Sequence, residues 1–585
     1  MSDVLTGPVR ALLQAGDRAG ALRACAALAQ GHAQDADVAS LHAYLLLGEG
    51  AFEQAVAEAR RAVSLRPDSA PMRANLARTL MYKGTVEEAL AVVDGAKGLA
   101  PQWAELCSLE GEIATHFGRF MEAVRRGREA LAKFPGNVEL LYNLALALHA
   151  TGQNAEAVGL LEGAIMRLPT DLRLLGTAAF LSNYVDTLSA EQVLEAHRRY
   201  GKVLTRHYPA PSGGVAGGPA AGARGGRRVR VGVLSPDLRE HSVAFFARAL
   251  LEHVDRSKIE LFAYSTQKSG DAMTGVLRGL PEHWRDVPAS SLDGVVAAIR
   301  ADGLDLLIEL AGHTKGGILP VVHRRVAVKH ASYLGYPNTT GIAGMQFRLV
   351  DSLTDPVGSE WMATEKLVRL DPCFLCFSPP TGSPAVGEGA CVSRGTVTFG
   401  SFNTVKKISD STVRLWSGVL KRVPGARLLL KSHGFDEPAM REHVRGRFEA
   451  QGVEGARVEF LGPVQETAGH LAVYGQVDIA LDTYPYHGTT TTCEALWMGV
   501  PVVTLAGDRH ASRVGVSLLT NVGLPELVAR SEAEFVDIAA GLAGDGARLR
   551  TLRGGLRGMV ERSPLMDGPG FARRFERAVV EMVGE

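Results

Sequence analysis

The chain has little to cross-link it and nothing obvious to anchor it. Six cysteines, Cys25, Cys107, Cys373, Cys376, Cys391 and Cys493, are scattered over 585 residues, too few for a disulfide framework at this size. Cys373 and Cys376 have metal or redox spacing. They stand alone in the apolar run RLDPCFLCFSPP and read as core. There is no apolar run of 18 or more residues, and the opening MSDVLTGPVRALLQAGDRAG lacks the continuous apolar centre of a signal peptide. The expectation is a cytoplasmic chain with no membrane partner. Excess charge is absent too: Lys+Arg and Asp+Glu both number 63, so no overall electrostatic footprint points to nucleic acid. From Arg227 onward neither a G-x-G-x-x-G nor a G-x-x-x-x-G-K-[ST] motif occurs, which leaves dinucleotide binding and P-loop phosphoryl transfer poorly supported.

What is present is periodic. Pro67, Pro101, Pro135 and Pro169 fall 34 residues apart, as do Gly50, Gly84, Gly118 and Gly152, and Ala55, Ala89, Ala123 and Ala157. A 34-residue step is the tetratricopeptide signature. Glycine ends the first helix of each pair, alanine lets the second pack closely, and proline stops it where the chain turns. Such arrays bind extended peptides along a concave face. The alternative is a spacer or a homodimer surface. Asp35 and Asp37 form the only D-x-D pair, and here it reads as a helix cap.

The periodicity fades after Pro169, and SGGVAGGPAAGARGG, Ser212 to Gly226, marks a boundary. The expected organisation is repeats over 1–190, a linker over 191–226, an α/β domain over 227–378, a loop over 379–394 and a second α/β domain over 395–585. In both halves strands alternate with helices, as in RRVRVGVLSPD followed by HSVAFFARALLEHV, whose N-terminus holds His241. That alternation implies parallel sheets, with two doubly wound domains facing across a cleft.

One stretch is chemically unusual. VDIALDTYP reads as a strand and its exit, and HGTTTTCEALWMG, His487 to Gly499, as a polar loop opening a helix. Free N–H groups at a helix start attract anions, and Thr489 to Thr492 add hydroxyls suited to a phosphate or diphosphate. Glu494, one turn in, suits ribose hydroxyls. A threonine cap with nothing bound is the plainer alternative.

RVRVGVLSPDLREHS, LAGHTKGG, ASYLGYPNTTG, FGSFNTVKKIS, HLAVYGQVDIALDTYPYHGTTTTCEALWMGVPVVTL and ASRVGVSLL, taken together, resemble O-linked N-acetylglucosamine transferases, the bacterial forms above all, from about residue 228 to the end. The resemblance implies two Rossmann-like domains of the GT-B type. It also implies inverting transfer of N-acetylglucosamine from UDP to Ser or Thr hydroxyls of proteins, with no metal or other cofactor. By the same resemblance Lys407 contacts the diphosphate, His470 packs on uracil, Thr490 and Thr491 bind phosphate, and Glu494 takes the ribose; Thr489 and Asn403 are expected beside them in the UDP-sugar site. His241 matches a histidine proposed as general base, its alternative being a helix-cap neighbour or a sugar-hydroxyl contact. His313, Lys315, Gly335, Tyr336 and Pro337 are expected in the sugar pocket, with turn residues as the plainer reading. Lys406 is expected on the opposite face from Lys407 if that segment is extended. Thr404, Thr467 and Thr489 replace the Gln, Lys and His of the animal enzymes, which leaves another sugar open. Two other readings remain: a repeat scaffold on an inactive UDP-sugar-binding domain, and transfer to a non-protein acceptor.

Overall fold

The computed structural model describes residues 2–208, 227–267, 269–287 and 291–585; the glycine-rich stretch Ser212 to Gly226 lies outside them. Contacts divide the chain into two units, Met1–Thr151 with Gly159–Arg167, and Gly152–Val158 with Leu168–Glu585.

The first unit is built of antiparallel helix pairs running from Ser2–Gln14 to Asn154–Arg167. The 34-residue ruler has its physical cause in the backbone. Gly50, Gly84 and Gly118 all adopt positive φ, between 72° and 97°, the left-handed turn glycine makes without a Cβ penalty. Ala55, Ala89 and Ala123 are at most 2 % exposed, where a larger side chain would push the helices apart. Asp35 caps the helix Ala36–Gly48 by accepting from the Asp37 and Val38 N–H groups, so the D-x-D pair is structural.

The second unit holds two fully parallel sheets. The first comprises β1 (Val229–Ser235), β2 (Ile259–Ser265), β3 (His283–Asp286), β4 (Leu306–Glu309), β5 (Lys329–Ser332), β6 (Phe347–Val350) and β7 (Lys366–Arg369). The second comprises β8 (Thr398–Ser401), β9 (Arg427–Lys431), β10 (Val458–Leu461), β11 (Ile479–Leu481), β12 (Val502–Leu505) and β13 (Val528–Ala529). Their orders are β3-β2-β1-β4-β5-β6-β7 and β10-β9-β8-β11-β12-β13. In each, the chain starts mid-sheet, winds one way and then returns to wind the other. The order reverses beside β1/β4 and β8/β11, and a doubly wound sheet opens a crevice at the carboxyl ends of such strands. Alternation of strand and helix in the sequence therefore reports a topology that fixes where a ligand can enter.

The expected linker is corrected in part. Residues Ala190–His207 form a helix opened by a capping box between Ser189 and Gln192. Val193, Leu194, His197, Tyr200, Gly201 and Leu204 are buried at helical spacing. The helix is ordered by packing: a Cβ on Gly201 would lie 1.8 Å from Gly341 O, so glycine permits backbone contact with the loop after β5. Within the expected loop 379–394, residues Ala390–Arg394 form a short helix. Cys373 and Cys376 are buried free thiols, each pushed up to about 12 by burial. Among the described residues no helix is long and apolar enough to cross a membrane.

Candidate active site

A pocket opens between the ends of β8 and β11, lined by Gly400, Phe402, Asn403, Tyr474, Asp482 and Thr491 among others. It sits at the switch point of the second sheet. Gly400 is required there, because a Cβ would lie 2.5 Å from Val477 Cγ2.

Three elements bring the polar groups together. The loop after β8 carries Asn403 and a single 3-10 turn, Val405–Lys407. The loop after β11 carries His487 and Gly488. The helix Thr490–Trp497 follows; Thr489 precedes it and makes no side-chain cap. Lys407 Nζ donates to His487 O at 2.7 Å and to Asn403 Oδ1 at 3.4 Å. Thr491 Oγ1 donates to the same Asn403 oxygen at 3.1 Å. Asn403 thus ties the lysine to the threonine helix. The ammonium lies 4.6 Å from the Tyr486 ring centroid, and burial pushes it down to about 7, with Asp482 favouring the charged form and Lys406 opposing it. A half-buried cation facing hydroxyls and a helix start is suited to an anion that restores its charge.

Deeper in the site, His470 Nε2 lies 3.0 Å from Glu494 Oε2 and its Nδ1 lies 2.5 Å from Lys431 Nζ. Phe402 and Tyr474 pack against the imidazole, and the Tyr474 hydroxyl donates to Thr491 O at 3.1 Å. The residues assigned to base, ribose and phosphate thereby form one connected group. Lys431 was not singled out in the sequence. The available signal was a lysine closing LLLK at the carboxyl end of a strand adjacent to β8. His487 was also missed: it is fully enclosed, with Nε2 3.0 Å from Leu505 O and Nδ1 accepting from Gly515 N–H at 3.1 Å.

On the first sheet, His241 stands in the bend before the helix Ala244–His253, ahead of the helix rather than at its first residue. Its Nδ1 is 3.7 Å from Asp237 Oδ1. Burial holds the imidazole below its ordinary pKa; Asp237 favours the charged form, and Arg239 and Lys406 disfavour it. The 405–407 segment is a 3-10 turn, so the expectation drawn from extended backbone is replaced: Lys406 Nζ points at Phe180 and Tyr184, 5.9 and 6.0 Å from their ring centroids. Glu309, at the end of β4, accepts from the Ala311 and Gly312 N–H groups and is pushed up to about 7 by burial. Of the replaced positions, Thr404 is exposed, and Thr467 Oγ1 lies 3.2 Å from Glu240 Oε1.

The expected sugar-pocket residues divide. Tyr336 is 4 % exposed. Its hydroxyl donates to His197 Nε2 at 2.5 Å and accepts from Asn183 Nδ2 at 3.0 Å. His313 Nε2 bonds Thr340 O at 2.8 Å, its ring touches His197, Tyr200 and Tyr336, and burial pushes it down to about 4. Both face the helices before the first sheet, which supply the partners of the Tyr336 hydroxyl and two of the rings around His313. Pro337 is buried beside them and Lys315 is exposed. Gly335 allows close approach, since a Cβ would lie 1.8 Å from Leu310 O.

Residues 219–377 and 391–575 match glycosyl transferase family 41, and 46–113 and 114–179 match the tetratricopeptide repeat. The probable UDP-N-acetylglucosamine–peptide N-acetylglucosaminyltransferase SPINDLY of Arabidopsis thaliana is 38 % identical over 422 residues, covering 71 % of this chain and 46 % of the plant protein. The same-named protein of Oryza sativa subsp. japonica is 38 % identical over 71 % of this chain and 45 % of its own length. The chain thus spans less than half the length of these relatives. A solved structure of a mutant Thermobaculum terrenum O-GlcNAc transferase is 32 % identical, with a TM-score of 0.78, over 88 % of this chain and 97 % of that one. By the extent of these matches and the geometry they overlie, the chain belongs to glycosyl transferase family 41.

Proposed function

We propose that this chain is an inverting, metal-independent glycosyltransferase that moves N-acetylglucosamine from UDP-N-acetylglucosamine to Ser or Thr hydroxyls of cytoplasmic proteins, which the repeats select. The observation that carries this is the convergence of Lys407, Asn403 and Thr491 at the end of β8, contiguous with His470 and Glu494. A cation and hydroxyls at a helix start suit a diphosphate, and an imidazole–carboxylate pair beside them suits base and ribose.

In the reaction, the acceptor oxygen forms a bond to the anomeric carbon from the face opposite the diphosphate. The bond from that carbon to the diphosphate oxygen breaks, and its electron pair stays on UDP. Lys407 offsets the charge gained there, more in the transition state than before it. The acceptor proton passes to His241, whose imidazole burial keeps neutral.

The test incubates the chain with host-cell protein and a panel of nucleotide sugars that includes UDP-N-acetylglucosamine, with and without EDTA. Mass spectrometry then searches Ser and Thr for added sugar. Hexosamine from the UDP donor, undiminished by EDTA, is expected. Transfer from another donor alone would replace the sugar in this reading. UDP binding without any transfer would favour the inactive scaffold, and a strict need for a divalent cation would remove the lysine mechanism.

A further inference from the structure

The 3-10 turn Val405–Lys407 carries the lysine assigned to the diphosphate, yet it has little internal support. Its own bonds are Lys407 N–H to Thr404 O at 2.9 Å, Ile408 N–H to Val405 O at 2.8 Å and Ser409 N–H to Lys407 O at 2.9 Å. Buried backbone carbonyls need partners; Val405 O and Lys407 O find theirs within 405–409, and Lys406 O is met by a segment that lies before both sheets. Asn154, 4 % exposed, donates from Nδ2 to Lys406 O at 2.9 Å. Gly152 adopts φ +84°, and a Cβ there would lie 3.0 Å from Ile408 O and 3.1 Å from Val405 O. Residues 152–158 accordingly pack with the second unit, although the helix that Asn154 opens continues in the first. On the other flank, Asp186 Oδ2 accepts from Ser411 N–H at 3.1 Å, and the Tyr184 ring stacks on Tyr486 at 4.4 Å, the same Tyr486 that lies under the Lys407 ammonium.

We propose that Asn154 is a positioning residue for Lys407: with Gly152 it holds the 405–408 backbone so that the ammonium meets the leaving diphosphate. The turn that the 34-residue period assigns to a repeat is thereby part of the catalytic apparatus. This rests on the reading of Lys407 as the leaving-group cation. Misplacement of a reacting group by about 1 Å can cost on the order of 10²-fold in rate, and a one-turn helix without its clamp has that freedom. Asn154→Asp keeps the size and replaces the donor with an oxygen facing the Lys406 carbonyl.

A second consequence separates positioning from general structure. Lys407 is held at about 7 by burial, with Asp482, Lys406, the His487 carbonyl and the Tyr486 ring around it. Loosening the turn admits water and returns the ammonium toward ordinary lysine behaviour. The alkaline limb of kcat/KM then moves to higher pH even as kcat falls.

The experiment uses the full chain and measures UDP release from UDP-N-acetylglucosamine with total host-cell protein as acceptor, alongside UDP affinity by calorimetry. Asn154→Asp and Gly152→Ala are each expected to lower kcat by roughly 10- to 100-fold. Donor KM and UDP Kd should stay within about two-fold, and the alkaline limb should shift up by about one pH unit. If either variant melts early, Asn154→Ser, which keeps a hydroxyl donor on a shorter arm, is measured below its melting temperature with the same expected signs. Normal kcat and an unmoved limb, in variants whose Lys407→Met counterpart is inactive, would overturn the clamp alone. An active Lys407→Met protein would overturn the underlying role of the lysine, and the clamp with it.

Discussion

His470 donates from Nε2 to Glu494 Oε2 at 3.0 Å while its Nδ1 accepts from Lys431 Nζ at 2.5 Å. The lysine fixes the imidazole tautomer, and the tautomer fixes the donor presented to the carboxylate. Ring and carboxylate therefore behave as one unit. His470→Ala and Glu494→Gln should each weaken UDP binding by about 1–3 kcal/mol. The double variant should lose at least about 0.5 kcal/mol less than the sum. Strict additivity in a calorimetric cycle would place the two residues in separate roles.

Lys407→Met keeps the side chain's length and removes its charge. Transfer should fall by at least about 10²-fold, the scale of losing one preorganised charge-stabilising group. UDP binding should fall less, because the charge on the leaving oxygen is greatest in the transition state. Near-normal turnover with an intact circular dichroism spectrum would show the lysine to be incidental.

Binding of UDP should take up a proton at Lys407. With its ammonium near 7 in the free protein, most molecules carry it neutral at pH 8, and a diphosphate restores the charge. Calorimetry at pH 8 in two buffers of different ionisation enthalpy should show uptake of up to about one proton, absent from Lys407→Met. The sign for folding runs the other way from a salt-bridged lysine. The unfolded chain binds the proton more tightly between about pH 7 and the ordinary lysine value, so the unliganded protein gains stability as pH rises through that window. That gain should shrink in the methionine variant.

His241→Ala distinguishes proton transfer from substrate contact. A general base should cost kcat roughly 10²–10⁴-fold. A sugar contact would raise donor KM and leave kcat nearly intact. The second result would assign the acceptor proton to another group.

Tyr336→Phe should lower stability and spare the donor site. Its hydroxyl joins His197 and Asn183 inside a buried cluster, so removal strands a buried imidazole nitrogen at about 1–3 kcal/mol. Urea denaturation should report that loss while donor KM stays unchanged. A raised KM with full stability would place Tyr336 in the sugar pocket.

The regular elements were readable because their causes are local. Left-handed glycines and small alanines at a fixed step announce stacked helix pairs, and apolar strands with polar exits announce parallel sheets. The carboxyl ends of β8 and β11 were readable for the same reason, since the switch point follows from the order of winding. What escaped depends on contacts between distant segments. His313 and Tyr336 stand on loops after strands, where ligand contacts cluster, and nothing near Tyr336 in sequence tells that Asn183 and His197 would take its hydroxyl. Lys431 looked like the polar end of an apolar strand, and only the fold brings it to His470. The helix Ala190–His207 was hidden by its nearness to a glycine-rich stretch, although Ser189 and Gln192 spell its cap.

The contact between Gly201 and Gly341, where a single added carbon would meet a carbonyl oxygen at 1.8 Å, bears on how this architecture can be recombined. A glycine-rich stretch invites a splice, and fusing a foreign repeat array there would keep both sheets. Such a chimera would discard the helix whose backbone rests on the Gly341 loop, along with Asn183, Tyr184 and Asp186. The transplantable block starts before Gly152, so a chimera that keeps these contacts has to carry the last repeat's turn along with both sheets.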